Sequence, residues 1–139
     1  MKYIVDGKRI FVRMDNGEDF YGVVNDVLKE TEARSAIVLG GIGMLMEFEI
    51  GWFNVEKGEY EREFVSVPHE LLSVQGNVSD MDGEPFAHVH VSLAGPSRSV
   101  VGGHLFKAKV CNTVELFLEK LDIDLYREKG KTFRRLNVR

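Results

Sequence analysis

The chain is poor in cysteine, in proline and in long apolar runs. Of its 139 residues only Cys111 is a cysteine, so no disulfide can form within the chain and a hydrophobic core has to hold the fold. With three prolines and no Pro/Ser-rich linker, repeat or low-complexity run, residues 1–139 read as a single domain. The longest nearly apolar stretch, Ala36 to Met46, contains three glycines and stops at Glu47. That falls far short of the ~20 residues a membrane-spanning helix needs, so a membrane protein of that kind is excluded. An excess of positive charge is lacking too: 18 Lys and Arg stand against 22 Asp and Glu, a net charge of −4. This argues against a whole-surface affinity for nucleic acid or anionic lipid, though not against a local basic patch. The first residues, Met1 to Gly7, hold no apolar core of signal-peptide length, and a lone free thiol suits a reducing compartment, so the expected location is the cytoplasm.

What is present is mostly strand signal. Arg9 to Met14 is short, β-branched and apolar, and ends at the turn signal Asp15-Asn16-Gly17. Glu18 to Glu30 places Phe20, Val23, Val24, Val27 and Leu28 at spacings of three and four, with Glu18 and Asp19 in the first turn, and predicts an amphipathic helix. Beyond Arg34 the period shortens. Two strands are expected to flank the glycine cluster Gly40, Gly41 and Gly43, and a hairpin to turn at Lys57-Gly58. Further strands are expected from Leu71, from Phe86 to Ala94 after an Asp82-Gly83 turn, and from His104 to Cys111 after a Gly102-Gly103 turn. Thr113 to Leu121 reads as strand, and the tail after Arg127 as a final strand with a basic outer face. The predicted class is α+β: an antiparallel sheet of about seven strands packed on one main helix. One helix covers little of so much sheet, which leaves apolar surface for a homo-oligomer to bury.

Three of the four histidines, His88, His90 and His104, fall close together. Alternate strand residues share a face, so His88 and His90 present two imidazoles side by side, and pairing of the two flanking strands would add His104. Three imidazole nitrogens with one open position are the ligand set of a catalytic zinc centre. The same pattern also describes a polar outer face, and the residues alone leave both readings open. Glu84, before Pro85, is a candidate general base, a partner for a ligand, or a turn carboxylate. Cys111, in an apolar strand with no second cysteine, reads as a buried inert thiol. The glycine cluster lacks the helix and the Lys-Ser/Thr of a phosphate-binding loop, so a bulge or a close backbone approach explains it better. Lys129, Lys131, Arg134 and Arg135 form a candidate surface for nucleic acid or another anionic partner, with a solvated face as the plainer reading.

These residues also carry a resemblance. Gly41-Ile42-Gly43, Ile50-Gly51-Trp52-Phe53, Tyr60, Pro68 through Ser79, Asp82 through Phe86, His88-Val89-His90-Val91-Ser92-Leu93 and Gly102-Gly103-His104-Leu105 together resemble the plants-and-prokaryotes conserved (PPC) domain, from about Arg9 to Leu121. The resemblance implies a homotrimer of compact α+β subunits and a three-histidine metal unit falling on His88, His90 and His104. Zinc suits imidazole ligation best, with nickel, copper or iron as competitors. Plant members carry an Arg-Gly-Arg-Pro segment that enters the minor groove of DNA; no such segment occurs here, so the chain resembles the stand-alone prokaryotic form. Their Gly-Arg-Phe-Glu-Ile-Leu partner motif corresponds to Val67-Pro68-His69-Glu70-Leu71-Leu72, which keeps only the Glu and the final Leu.

Two functions are therefore expected to compete. In the first, a metal-stabilised homotrimer presents a surface to a protein or to DNA. In the second, an enzyme of hydrolase type uses the three-histidine metal as a Lewis acid or hydroxide source, with Glu84 or Glu70 moving the proton.

Overall fold

A computed structural model describes residues 1–139. The elements run β1 (Lys2–Asp6), β2 (Arg9–Asp15), α1 (Phe20–Glu30), β3 (Ala36–Asn54), β4 (Glu59–Val65), β5 (His69–Met81), β6 (Glu84–Ala94), β7 (Val100–Lys120), β8 (Leu125–Glu128) and β9 (Arg135–Val138). The fold is mostly sheet with one helix, and no helix is long and apolar enough to cross a membrane.

Helix α1 forms where the apolar spacing predicts it. Asp19 lies before the first turn as its N-cap, where Oδ2 accepts from the Gly22 backbone N–H at 2.6 Å. The buried face is Phe20, Val23, Val24, Val27 and Leu28, and it packs on β2, β6 and β7. Alternation along the strands supplies the opposing surface: Ile10, Val12 and Met14 from β2, Ala87, Val89, Val91 and Leu93 from β6, and Val114, Leu116 and Leu118 from β7.

The sheet has nine strands, more than the seven expected, and it is mixed. Strand β1 pairs antiparallel with β2 across a tight Gly7-Lys8 turn, and β8 meets β5 in parallel at Asp80 and Tyr126. Neither pairing has a local signature: Lys2–Asp6 is exposed edge, and a parallel contact joins segments far apart in sequence. Strands β3, β5, β6 and β7 each pair with two of the others, closing a circuit. A closed circuit demands bent strands, and β3 bends through register shifts at Val38/Gly40, Gly43/Leu45 and Met46/Glu49. The glycine cluster therefore lies inside one long strand instead of separating two. Likewise Gly102 and Gly103 lie within β7; the turn after β6 is made by Gly95 to Ser99. Gly103 has φ +152, and a Cβ there would sit 2.5 Å from the Gly51 carbonyl oxygen, so these glycines serve close strand contact, not reversal. The Asp82-Gly83 turn does form, with φ of 58 and 90. Cys111, expected to be buried, is half-buried because it alternates out of phase with core residues Val110 and Val114.

Candidate metal centre

On β6 the core takes Ala87, Val89 and Val91, which turns Phe86, His88 and His90 to the opposite face. The β6–β7 register sets His90 directly across from His104. The three imidazoles thereby converge, each offering a ring nitrogen within 4.8 Å of the others. His90 Nε2 lies 3.1 Å from His88 Nε2. Two imidazole nitrogens on one tetrahedral zinc stand roughly 3.3 Å apart, given Zn–N bonds of ~2.0–2.1 Å, so this pair fits such an ion. His104 packs against Tyr60 and Phe106, at centroid distances of 5.2 and 4.5 Å, and its Nδ1 is buried without a hydrogen-bond partner. An orphaned buried nitrogen and two nitrogens at ligand spacing are what a three-histidine metal centre requires.

Burial and neighbouring positive charge disfavour the protonated forms of His88 and His104. Burial, followed by the nearby Arg127 guanidinium and His90, lowers the His88 pKa to about 4. Burial, followed by His88, His90, Arg62 and Arg127, lowers that of His104 to about 4 as well. The fourth histidine, His69, stands apart: it is buried, donates from Nδ1 to the Val67 carbonyl at 2.8 Å and packs edge-on against Phe48.

The histidines open into a cavity of about 620 Å³. Its remaining wall comes largely from the C-terminal hairpin of β8 and β9, which supplies Arg127, Phe133, Arg134 and Arg135. The basic tail is thus divided: Arg134 and Arg135 face the histidine cavity, whereas Lys129 and Lys131 project into solvent at the hairpin loop. Arg134 also pairs with Asp82 at 2.8 Å.

Glu84 is not among the cavity residues. It is exposed, pairs with Lys29 at 2.9 Å, and lies about 13 Å along β6 from His88 at ~3.3 Å per residue. Glu70 is exposed at the far end of β5, opposite Ala94. The residue that sequence reasoning missed is Arg127. Its Nε donates to Ser79 Oγ at 3.1 Å, and its Nη2 donates to Asn77 Oδ1 at 2.7 Å and to His88 Nδ1 at 3.3 Å. No spacing marks it, because β8 reaches β5 only through the parallel contact.

The family model of the Plants and Prokaryotes Conserved (PCC) domain matches residues 1–122. A plant- and prokaryote-conserved protein from Pyrococcus horikoshii is 32% identical, over 96% of this chain and 94% of that one, with a TM-score of 0.83. A metal-containing protein from Archaeoglobus fulgidus is 33% identical, over 99% and 96%, with a TM-score of 0.85. A candidate DNA-binding protein from Bacteroides thetaiotaomicron shares the fold at a TM-score of 0.90, with 22% identity over 99% and 96%. Among curated proteins none matches the chain.

Proposed function

The chain belongs to the Plants and Prokaryotes Conserved domain family, and from that premise we propose that it is a metal-binding module whose zinc is held by His88, His90 and His104. The observation that carries this reading is the convergence of three imidazoles, each with a ring nitrogen within 4.8 Å of the others. The metal-containing relative from Archaeoglobus fulgidus adds to it. Zinc bound there would act as a Lewis acid facing the cavity, with a fourth position left to a ligand.

The module is a homotrimer. Its motivation is the sheet face opposite α1, where Ile4 of β1, Phe117 of β7 and Leu39 of β3 are exposed and Phe11 of β2 packs on Phe117 at 5.1 Å between ring centroids. A monomer gains nothing from such a row of apolar side chains, while an interface between copies buries it. The single half-buried thiol fits a cytoplasmic location.

Binding of DNA through the tail is not favoured by the geometry. Arg134 shares one guanidinium nitrogen with Asp82, Arg139 lies against Asp80 and Asp124, and only Lys129, Lys131 and Arg135 are without an acidic partner, which makes a short basic patch and no continuous stripe. The second reading, an enzyme of hydrolase type, is favoured by the cavity over the histidines. Its proton carrier would have to come from within the cavity, since Glu84 and Glu70 lie outside it.

Elemental analysis of untagged protein, compared with a His88→Ala, His90→Ala double variant, tests the reading. About one zinc per chain, lost in the variant, is the expected result; no metal in the native protein and no zinc uptake would refute it. Light scattering on a sizing column reads the trimer mass in the same samples.

A further inference from the structure

Arg127 is a half-buried guanidinium without a carboxylate partner. Its three hydrogen bonds go to Ser79, Asn77 and His88, all neutral, and they occupy Nε and both N–H groups of Nη2. Nη1, with two N–H groups, is uncommitted. A cation withdrawn from water without a counter-charge is costly, and it is relieved by an anion that completes the pairing. Arg134 adds an independent observation. Its Nη2 pairs with Asp82, yet its Nη1 is buried with no partner at all. Both arginines line the cavity of about 620 Å³ above the histidines, Arg135 lines it too, and no carboxylate of the chain does. The rest of the wall is apolar, from Phe53, Phe86 and Phe133.

We propose that this cavity is a binding site for a small organic acid, its carboxylate held by the guanidinium groups of Arg127 and Arg134 and its apolar or aromatic body seated on the phenyl walls. Guanidinium groups pair with carboxylate oxygens through charge-assisted hydrogen bonds, and the cavity gathers three of them with no acidic side chain. The apolar wall selects for an acid with a hydrocarbon body over inorganic phosphate, and the volume suits a molecule of that size. Both arginines lie after the segment matched by the family model, residues 1–122. The proposal names the ligand class of the cavity that holds the proposed metal centre and rests on that reading only for the side of the acid that faces the histidines.

Isothermal titration with phenylacetate, on zinc-loaded and on chelator-treated full-length protein, is the test. Phenylacetate is expected to bind in both states, and phenylacetamide, which has the same body without the charge, to give no measurable heat. Arg134→Met and Arg127→Met are each expected to weaken phenylacetate about tenfold or more, the loss of a charge-assisted hydrogen bond. Arg134 sits on the exposed hairpin, so its variant keeps the test decisive if Arg127→Met does not fold. No phenylacetate binding in either state, equal binding of phenylacetamide, or indifference to Arg134→Met overturns the proposal. Phenylphosphonate binding where phenylacetate does not overturns the carboxylate assignment. Phenylacetate binding by a protein that takes up no zinc removes the metal reading and leaves the acid site standing.

Discussion

Arg127 Nη2 lies 3.3 Å from His88 Nδ1. A guanidinium can only donate, so His88 Nδ1 accepts and the ring proton sits on Nε2, aimed at His90 Nε2 3.1 Å away. Metal ligation by His88 Nε2 requires the other tautomer, whose Nδ1–H would face the Arg127 N–H and a positive charge. Arg127 therefore opposes metal binding. Arg127→Met is expected to bind zinc about tenfold more tightly, the worth of one hydrogen bond to a charged group. Competition against a chromophoric chelator measures it, and unchanged or weaker affinity would contradict the tautomer assignment.

Acid is expected to destabilise the metal-free protein through the same cluster. The pKa values of His88 and His104 are lowered from 6.5 to about 4 on folding, chiefly by burial. Below pH 6.5 the unfolded chain binds protons that the folded chain does not, so stability present above pH 6.5 falls away between pH 6.5 and 4. Urea midpoints of chelator-treated protein across that range should decline more steeply than those of a His88→Gln, His104→Gln variant. Parallel curves would exclude the histidines as the source.

Backbone contact beside the ligands predicts a lesion at a glycine. A Cβ on Gly76 would lie 2.1 Å from the His88 carbonyl oxygen and 3.1 Å from Val89 Cα, so Gly76→Ala must push β5 and β6 apart. Overpacking of this kind costs about 1–3 kcal/mol. The shift carries His88 and His90 with it, and zinc affinity should fall together with the denaturation midpoint. A stable variant with full affinity would mean that β6 yields without moving its histidines.

Glu84→Gln should change little. Its ion pair with Lys29 is exposed at both ends, where solvent screening leaves it little weight, and it lies outside the cavity. Zinc content and affinity are expected to match the native protein; loss of either would return Glu84 to the site.

Much of the fold was readable because its signals are local. The period of Phe20, Val23, Val24, Val27 and Leu28 is the helix, and Asp82-Gly83 is a turn wherever it occurs between strands. Strand β1 escaped because its side chains are largely exposed and its pairing with β2 alone makes it a strand. Gly102-Gly103 misled because glycine serves a turn and a close strand contact equally well, and only the neighbouring Gly51 decides which.

The same division runs through the site. That His88 and His90 share a face follows from the two-residue period of any strand, and their neighbour across the sheet was within reach of a hairpin guess. What the amino-acid order could not state is the register that sets His90 against His104, or the parallel meeting of Tyr126 with Asp80 that brings Arg127 to His88. Both are pairings between segments distant in the chain. They are selected by the closure of β3, β5, β6 and β7 around a common core, whose energy depends on all of the strands at once and is written in none of them separately.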